Sequence, residues 1–195
     1  MNRLPSITRT LVLPGLIALA GFGLQGDSPP PLHWEQRNSG TNQTLRSIFG
    51  SGDGKSLWVV GDHGTILHSR DGEHWDQQVS GTNQMLTSIC GSSDGKSLWA
   101  VGDHGTILHS GDGQHWDRQV SGTNQMLTSV HRSSDGKSLW AVGEGGLILH
   151  SGDGQHWNRR TGGTNQTLQS VFGSGHGKLL AAVGDSGAMI VVRRF

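Results

Sequence analysis

Apolar residues in this chain come in short blocks, each closed by a cluster of Gly, Asp, Asn or Ser. Leu45 to Phe49 is one block, closed by Gly50-Ser51-Gly52-Asp53-Gly54. Ser56 to Val60 is a second, closed by Gly61-Asp62-His63-Gly64. Thr65 to Ser69 follows, and Trp75 to Ser80 is a fourth, closed by Gly81-Thr82-Asn83-Gln84. Blocks of this length with Asp-Gly and Gly-rich punctuation predict β-strands joined by hairpins. No segment holds a 3.6-residue apolar period long enough for a helix. Leu57, Trp58, Val59 and Val60 are apolar at successive positions, so both faces of that strand must be covered.

The four-strand pattern recurs. Trp34, Trp75, Trp116 and Trp157 stand 41 residues apart, and segments 75–115 and 116–156 differ at only 7 of 41 positions. Such a period identifies a repeat architecture, and its β content predicts one propeller blade per repeat. The reading is an all-β propeller of four four-stranded blades over 33–195, with repeats 34–74, 75–115, 116–156 and 157–195. The last repeat holds only three strand blocks, Leu168 to Val192. The block His33 to Asn38 has the character of the missing fourth, so the expectation is that it closes the last blade and removes the open edges. The other option is a half-ring completed by dimerisation.

Composition narrows the function. Lys+Arg and Asp+Glu are 15 each, a balance that argues against a nucleic-acid partner. The single cysteine, Cys90, excludes an intrachain disulfide framework and a multi-cysteine zinc site. Arg3 and Arg9, the apolar run Leu11 to Leu19 and the small residues of Ala18-Leu19-Ala20 read as a secretory leader over 1–20, cleaved after Ala20. That run is short for a membrane span, so no stable anchor is expected after cleavage. Residues 21–32, with Pro29-Pro30-Pro31, read as a linker.

Ser69, Asp71, Gly72 and Trp75 form a hairpin signature that recurs as Ser110, Asp112, Gly113, Trp116 and as Ser151, Asp153, Gly154, Trp157. It resembles the Asp-box (BNR) repeat of sialidase-like propellers, one residue shorter and without its Thr. The wider string Trp75-x-x-Gln78-x-Ser80-Gly81-Thr82, then Leu86-x-Ser88-Ile89, Trp99-Ala100-Val101-Gly102 and Gly105-x-Ile107-Leu108 is similar to the photosystem II stability and assembly factor propellers and their bacterial relatives. The resemblance covers 34–195 and implies the propeller fold and an assembly-factor-like role. It also implies larger rings than four blades, a point against a photosynthetic role. Physically, an Asp in such a turn accepts backbone N–H bonds and the Gly supplies positive φ, so these acids read as fold residues.

No catalytic group is assigned. A sialidase needs a Tyr nucleophile, and the chain has no tyrosine. The acids recur once per repeat, as scaffold chemistry does. Gly54-Lys55-Ser56 and its copies lack the earlier glycine of a phosphate loop and read as hairpin turns. Eleven histidines invite a metal, but His68, Asp71 and His74 recur in three equivalent copies with the Asp committed to its turn, so neither metal nor cofactor is expected. Cys90, at the position of Phe49, His131 and Phe172, reads as packing, and His131-Arg132 is the sharpest break in symmetry. Arg159-Arg160 and Arg193-Arg194 read as solvated surface.

In a propeller the loops before the first strand and after the second strand of each blade share one face. Here that face would carry Asn42, Gln43, Asn83, Gln84, Asn124, Gln125, Asn165 and Gln166, with Asp62, His63, Asp103 and His104. Amides donate and accept together, which suits peptide backbone or sugar hydroxyls. The expected function is a secreted or periplasmic, non-enzymatic scaffold for a protein or peptide partner. A carbohydrate-binding module or a glycan hydrolase is the alternative.

Overall fold

The computed structural model describes residues 33–175 and 179–193. The expected leader over 1–20, the linker over 21–32 and Arg194 lie outside the described residues. The architecture below is that of the unit from Gln36 to Phe195. In the unit before it, His33–Glu35 is irregular.

Four sheets follow one another along the chain. The first holds β1 (Leu45–Gly50), β2 (Leu57–Gly61), β3 (Ile66–Ser69) and β4 (Asp76–Gln77). The second holds β5 (Leu86–Gly91), β6 (Leu98–Gly102), β7 (Ile107–Ser110) and β8 (Asp117–Gln119). The third holds β9 (Leu127–Arg132), β10 (Leu139–Gly143), β11 (Ile148–Ser151) and β12 (Asn158–Arg160). The fourth has only three strands, β13 (Leu168–Gly173), β14 (Leu179–Gly184) and β15 (Met189–Arg193). Neighbours pair antiparallel in chain order, as a meander of short turns requires. The turn after β1 shows why these residues make hairpins. Asp53 Oδ1 accepts the Lys55 N–H, Gly54 takes φ +69°, and its N–H donates to Ser51 O. Gly-Lys-Ser is therefore a hairpin end, not an anion cradle.

The sheets stack face to face, with β1 on β5, β5 on β9 and β9 on β13. Trp58, Val60 and Ile66 of the first sheet pack against Leu86, Ile89, Ala100, Leu108 and Trp116 of the second. The same positions repeat at the next two junctions. This is why β2 and its copies are apolar on both faces. Each fully buried Leu or Ile contributes roughly 1.5–3 kcal/mol, so the junctions rather than single sheets hold the core.

Two expectations change. The block Trp75 to Ser80 shrinks to a two-residue strand, because it forms the outer edge of its sheet and Ser80 turns to donate to Thr82 O. The block His33 to Asn38 forms no strand, so the expected closure of the last blade by this segment is not seen. Among the described residues no strand pairs with it, and Arg37 reaches Glu73 instead. Among the described residues, no stacking like that between successive sheets joins β13 to β1.

Candidate functional site

The loop before each sheet and the turn after its second strand meet on one face, tied by backbone. Asp62 N donates to Thr44 O, Asp103 N to Met85 O, Glu144 N to Met126 O and Asp185 N to Thr167 O. The turn also reaches the next repeat: Gly64 N donates to Gln84 O and Gly105 N to Gln125 O. Glycine is needed for this approach. A Cβ at Gly102 would stand 1.9 Å from Met85 O, and one at Gly105 would stand 2.0 Å from Thr123 O.

In the Thr-Asn-Gln turns the threonine does the shaping. Thr41, Thr82, Thr123 and Thr164 Oγ1 each accept the N–H of the glutamine two residues on, at 3.1 Å. The asparagine between them is left exposed at the tip. Among the described residues, the side chains of Asn42, Asn83 and Asn124 make no hydrogen bond. Asn165 Oδ1 accepts Gln166 Nε2, and Gln125 Nε2 donates to Glu144 O. Gln43 and Gln84 carry amides on the same loops.

The turn after the second strand is a single 3₁₀ turn whose middle residue is left-handed: His63 at φ 55°, His104 at φ 52°, Gly145 and Ser186 alike. Few non-glycine residues adopt this region. Asp62, at its start, pairs with the Arg46 guanidinium, and this bond holds the Asp62 carboxyl below the usual carboxylate range. Asp103 starts the equivalent turn, half-buried, with His104 exposed beside it.

The first strand of each sheet carries a β-bulge at the same place. Arg46, Thr87, Thr128 and Gln169 are the extra residues, between register partners Leu45 and Ser47 and their copies. A bulge re-aims the side chain of its extra residue. All four line one cavity of about 380 Å³ with Thr44, Met85 and Met126. Thr87 Oγ1 donates to Leu127 O at 2.6 Å, and Thr128 Oγ1 to Leu168 O, tying each sheet to the next. Two further hollows lie toward the rim. One, of about 570 Å³, joins His104 and Asn124 with Arg118 and the exposed Val120. The other, of about 770 Å³, joins Asn165 and Gln166 with Arg159 and Arg160. The inner cavity and the arginines of the rim were not among the expected site residues. Their signal was there: 44, 46, 85, 87 and 169 are positions where otherwise near-identical repeats differ.

The carboxylates of the Ser-x-Asp-Gly hairpins are spent on their own turns. Asp112 Oδ1 accepts the N–H groups of Gln114 and His115, both at 2.8 Å, and Ser110 Oγ accepts that of Gly113. Asp71 and Asp153 repeat this. These bonds, and the facing imidazole, hold all three carboxyls far below the usual range. In return the carboxylates raise His74 and His115. Trp116 and Trp157 pack into the sheet junctions behind the hairpins. Gly113 also serves the previous sheet: its O accepts Trp58 Nε1 at 3.1 Å, and a Cβ there would strike the indole at 2.8 Å. Gly154 does the same for Trp99. His68 stacks on Trp58, His109 and His150 pack tilted against Trp99 and Trp140, and burial lowers the first two. Among the described residues, no three His, Cys, Asp or Glu side chains gather as a metal cluster. Burial pushes the Cys90 thiol up to about 12. His131, the break in symmetry, bonds Gly173 O and packs tilted against Phe172 across a junction.

Several solved structures share this arrangement. YCF48 bound to a D1 peptide superposes with a TM-score of 0.57 at 19% identity, covering 80% of this chain and 55% of that one. The fold is a β-propeller fold. YCF48 from Cyanidioschyzon merolae aligns at TM-score 0.58 and 22% identity, over 83% of this chain and 60% of that one. Hydrazine synthase of Kuenenia stuttgartiensis aligns at TM-score 0.65 and 16% identity, over 78% and 47%. The structural neighbours thus include YCF48, a photosystem II assembly factor, and the chain spans only about half to three-fifths of each neighbour. No family model and no curated protein matches the sequence.

Proposed function

We propose that the chain is an exported, non-enzymatic propeller scaffold that binds an extended peptide segment of a protein partner across its loop face. One observation carries this reading. The Asn42, Asn83 and Asn124 amides are exposed and unspent, while the turns that present them are already shaped by threonine. Evenly repeated amides match the alternating donors and acceptors of a peptide backbone. Val120 beside Arg118, and Arg159 with Arg160, add apolar and cationic contacts for its side chains. The opposite hairpins have spent their aspartates on their own backbone. The YCF48–D1 peptide complex supports the reading as a precedent for a peptide ligand on this fold. Export rests on the leader-like sequence of residues 1–20 alone.

The test is selection of a displayed random-peptide library on the full chain, followed by fluorescence anisotropy with the enriched peptide. Changing Asn42, Asn83 and Asn124 together to Ala should weaken binding at least tenfold, with an unchanged β circular dichroism spectrum. No enriched peptide, or affinity unchanged by the triple substitution, contradicts the reading. Retention on polysaccharide with no peptide enriched would move the site to the glycan alternative.

A further inference from the structure

We infer that two copies of this chain join head to tail, each copy's segment 33–38 adding the fourth strand to the other's fourth sheet, to make one ring of eight blades. The inference does not depend on what the loop face binds.

Every junction inside the chain joins the same two surfaces. One is the face of the earlier sheet that carries Trp58, Val60 and Ile66. The other is the face of the later sheet that carries Leu86, Ile89 and Leu108. The first sheet's later-type face is covered only in part, with Val59 and Leu67 at 6% and 2% exposure but Leu45 and Ile48 at 40% and 60%, and the fourth sheet leaves its earlier-type face open. Ile48 is 60% exposed, whereas its equivalents Ile89, Val130 and Val171 are 5–6% exposed. Met189 is 71% exposed, whereas Ile66, Ile107 and Ile148 are 0–3% exposed. Leu45, Ile48, Val59 and Trp75, with Arg37 and Ser39 of the stretch before β1, line a largely apolar groove of about 400 Å³ on the first sheet. Phe172, Val183, Met189 and Val191 are exposed on the fourth. The two open ends are therefore the two halves of a junction the chain already makes three times. A second copy supplies both halves at once. Such a heterologous contact forms a closed ring when its rotation closes.

The fourth sheet has adapted to this end. Trp58 and His68, Trp99 and His109, and Trp140 and His150 are opposed pairs on the second and third strands. The corresponding pair on β14 and β15 is Ala181 and Val191. It brings neither an indole N–H nor an imidazole that needs a partner, so the open face is wholly apolar at this point.

The edge supplies a second, independent fit. β15 has no strand on its outer side among the described residues. Trp34-Glu35-Gln36 matches Trp75-Asp76-Gln77, the residues of the fourth strand in the first sheet. Chain order places a copy's 33–38 just ahead of its own β1, which is where the other copy's fourth sheet would sit. Carrying over the observed registers Leu108↔Arg118 and His109↔Asp117 sets Ile190 against Gln36 and Val191 against Glu35. The second copy would also face the inner cavity with its own Arg46, Thr87, Thr128 and Gln169.

The experiment is oxidation of a full-length Glu35→Cys, Val191→Cys double variant in a Cys90→Ser background, read by non-reducing electrophoresis. Opposed strand residues lie close enough to bridge. A covalent dimer, reverting to single chain on reduction, is the expected result. A bridge within one chain would show closure by its own segment, and no bridge would show no strand exchange; either overturns the inference. Sedimentation gives the second reading. Wild type should run at twice the chain mass at tens of micromolar, and Ile48→Glu and Met189→Glu should each run as single chains. Mixing the two variants should restore dimers, because one intact junction remains, and this also shows that both fold. A wild type at single-chain mass, or variants still dimeric on their own, overturns the proposal.

Discussion

Single residues fall into two chemical groups here, those whose polar atoms are spent and those left free. Asp112 spends its carboxylate on two backbone N–H groups and on His115. A lowered Asp contributes stability that is lost as pH falls through its folded value. A raised His contributes stability present below its unfolded value, near 6.5, and lost as pH rises through the folded one. The pair is therefore strongest in mildly acidic solution. Asp112→Asn should lower Tm more at pH 5.5 than at pH 8.5, as thermal denaturation followed by circular dichroism will show. Proton NMR should find His74 and His115 titrating above the ordinary histidine value and His68 and His109 below it, the second pair because packing against tryptophan removes them from water. At His104 the backbone is left-handed, which costs a side chain about 1–2 kcal/mol. His104→Gly should raise stability by about 1 kcal/mol in urea titration, less the entropy glycine adds to the unfolded chain.

At the scale of strands and turns, sequence went far because local chemistry decides local structure. Asp53-Gly54 and its copies can only be tight hairpin ends, and Leu57 to Val60 can only be a strand covered on both sides. The short fourth strand was over-read, since a sheet edge has one partner and is trimmed by whatever its next residue bonds. The bulge at Arg46, Thr87, Thr128 and Gln169 was not legible, because an extra residue in one strand is a property of the pairing and not of either strand alone. The inner cavity was missed with it. What shapes the turn at Asn83 is not legible either, because the Gln84 N–H bond to Thr82 Oγ1 depends on the folded geometry. Packing between sheets is likewise non-local. Trp99 fills a junction and reaches Gly154 O, 55 positions away. Trp99→Ala should cost about 3–5 kcal/mol of stability. Gly102→Ala, which drives a Cβ into Met85 O, should cost about 3 kcal/mol although its φ suits any residue.

For the molecule as a whole, the repeat does two things at once. It stacks equivalent junctions one after another, and it sets four nearly equivalent loops on one face and three Ser-x-Asp-Gly hairpins on the other. Among the described residues the loop face presents exposed asparagine amides, arginines and two hollows, whereas the hairpin carboxylates are spent on their own turns, and that difference is the centre of the functional account. Hydrogen–deuterium exchange of the full chain, with and without a selected peptide, tests it most directly. The account predicts new protection in the loops around Asn83, Asn124 and Asn165 and in the turns at His104 and Gly145, with the Ser110–Trp116 and Ser151–Trp157 hairpins unchanged. Protection centred on those hairpins, with the loops exchanging as before, would contradict it.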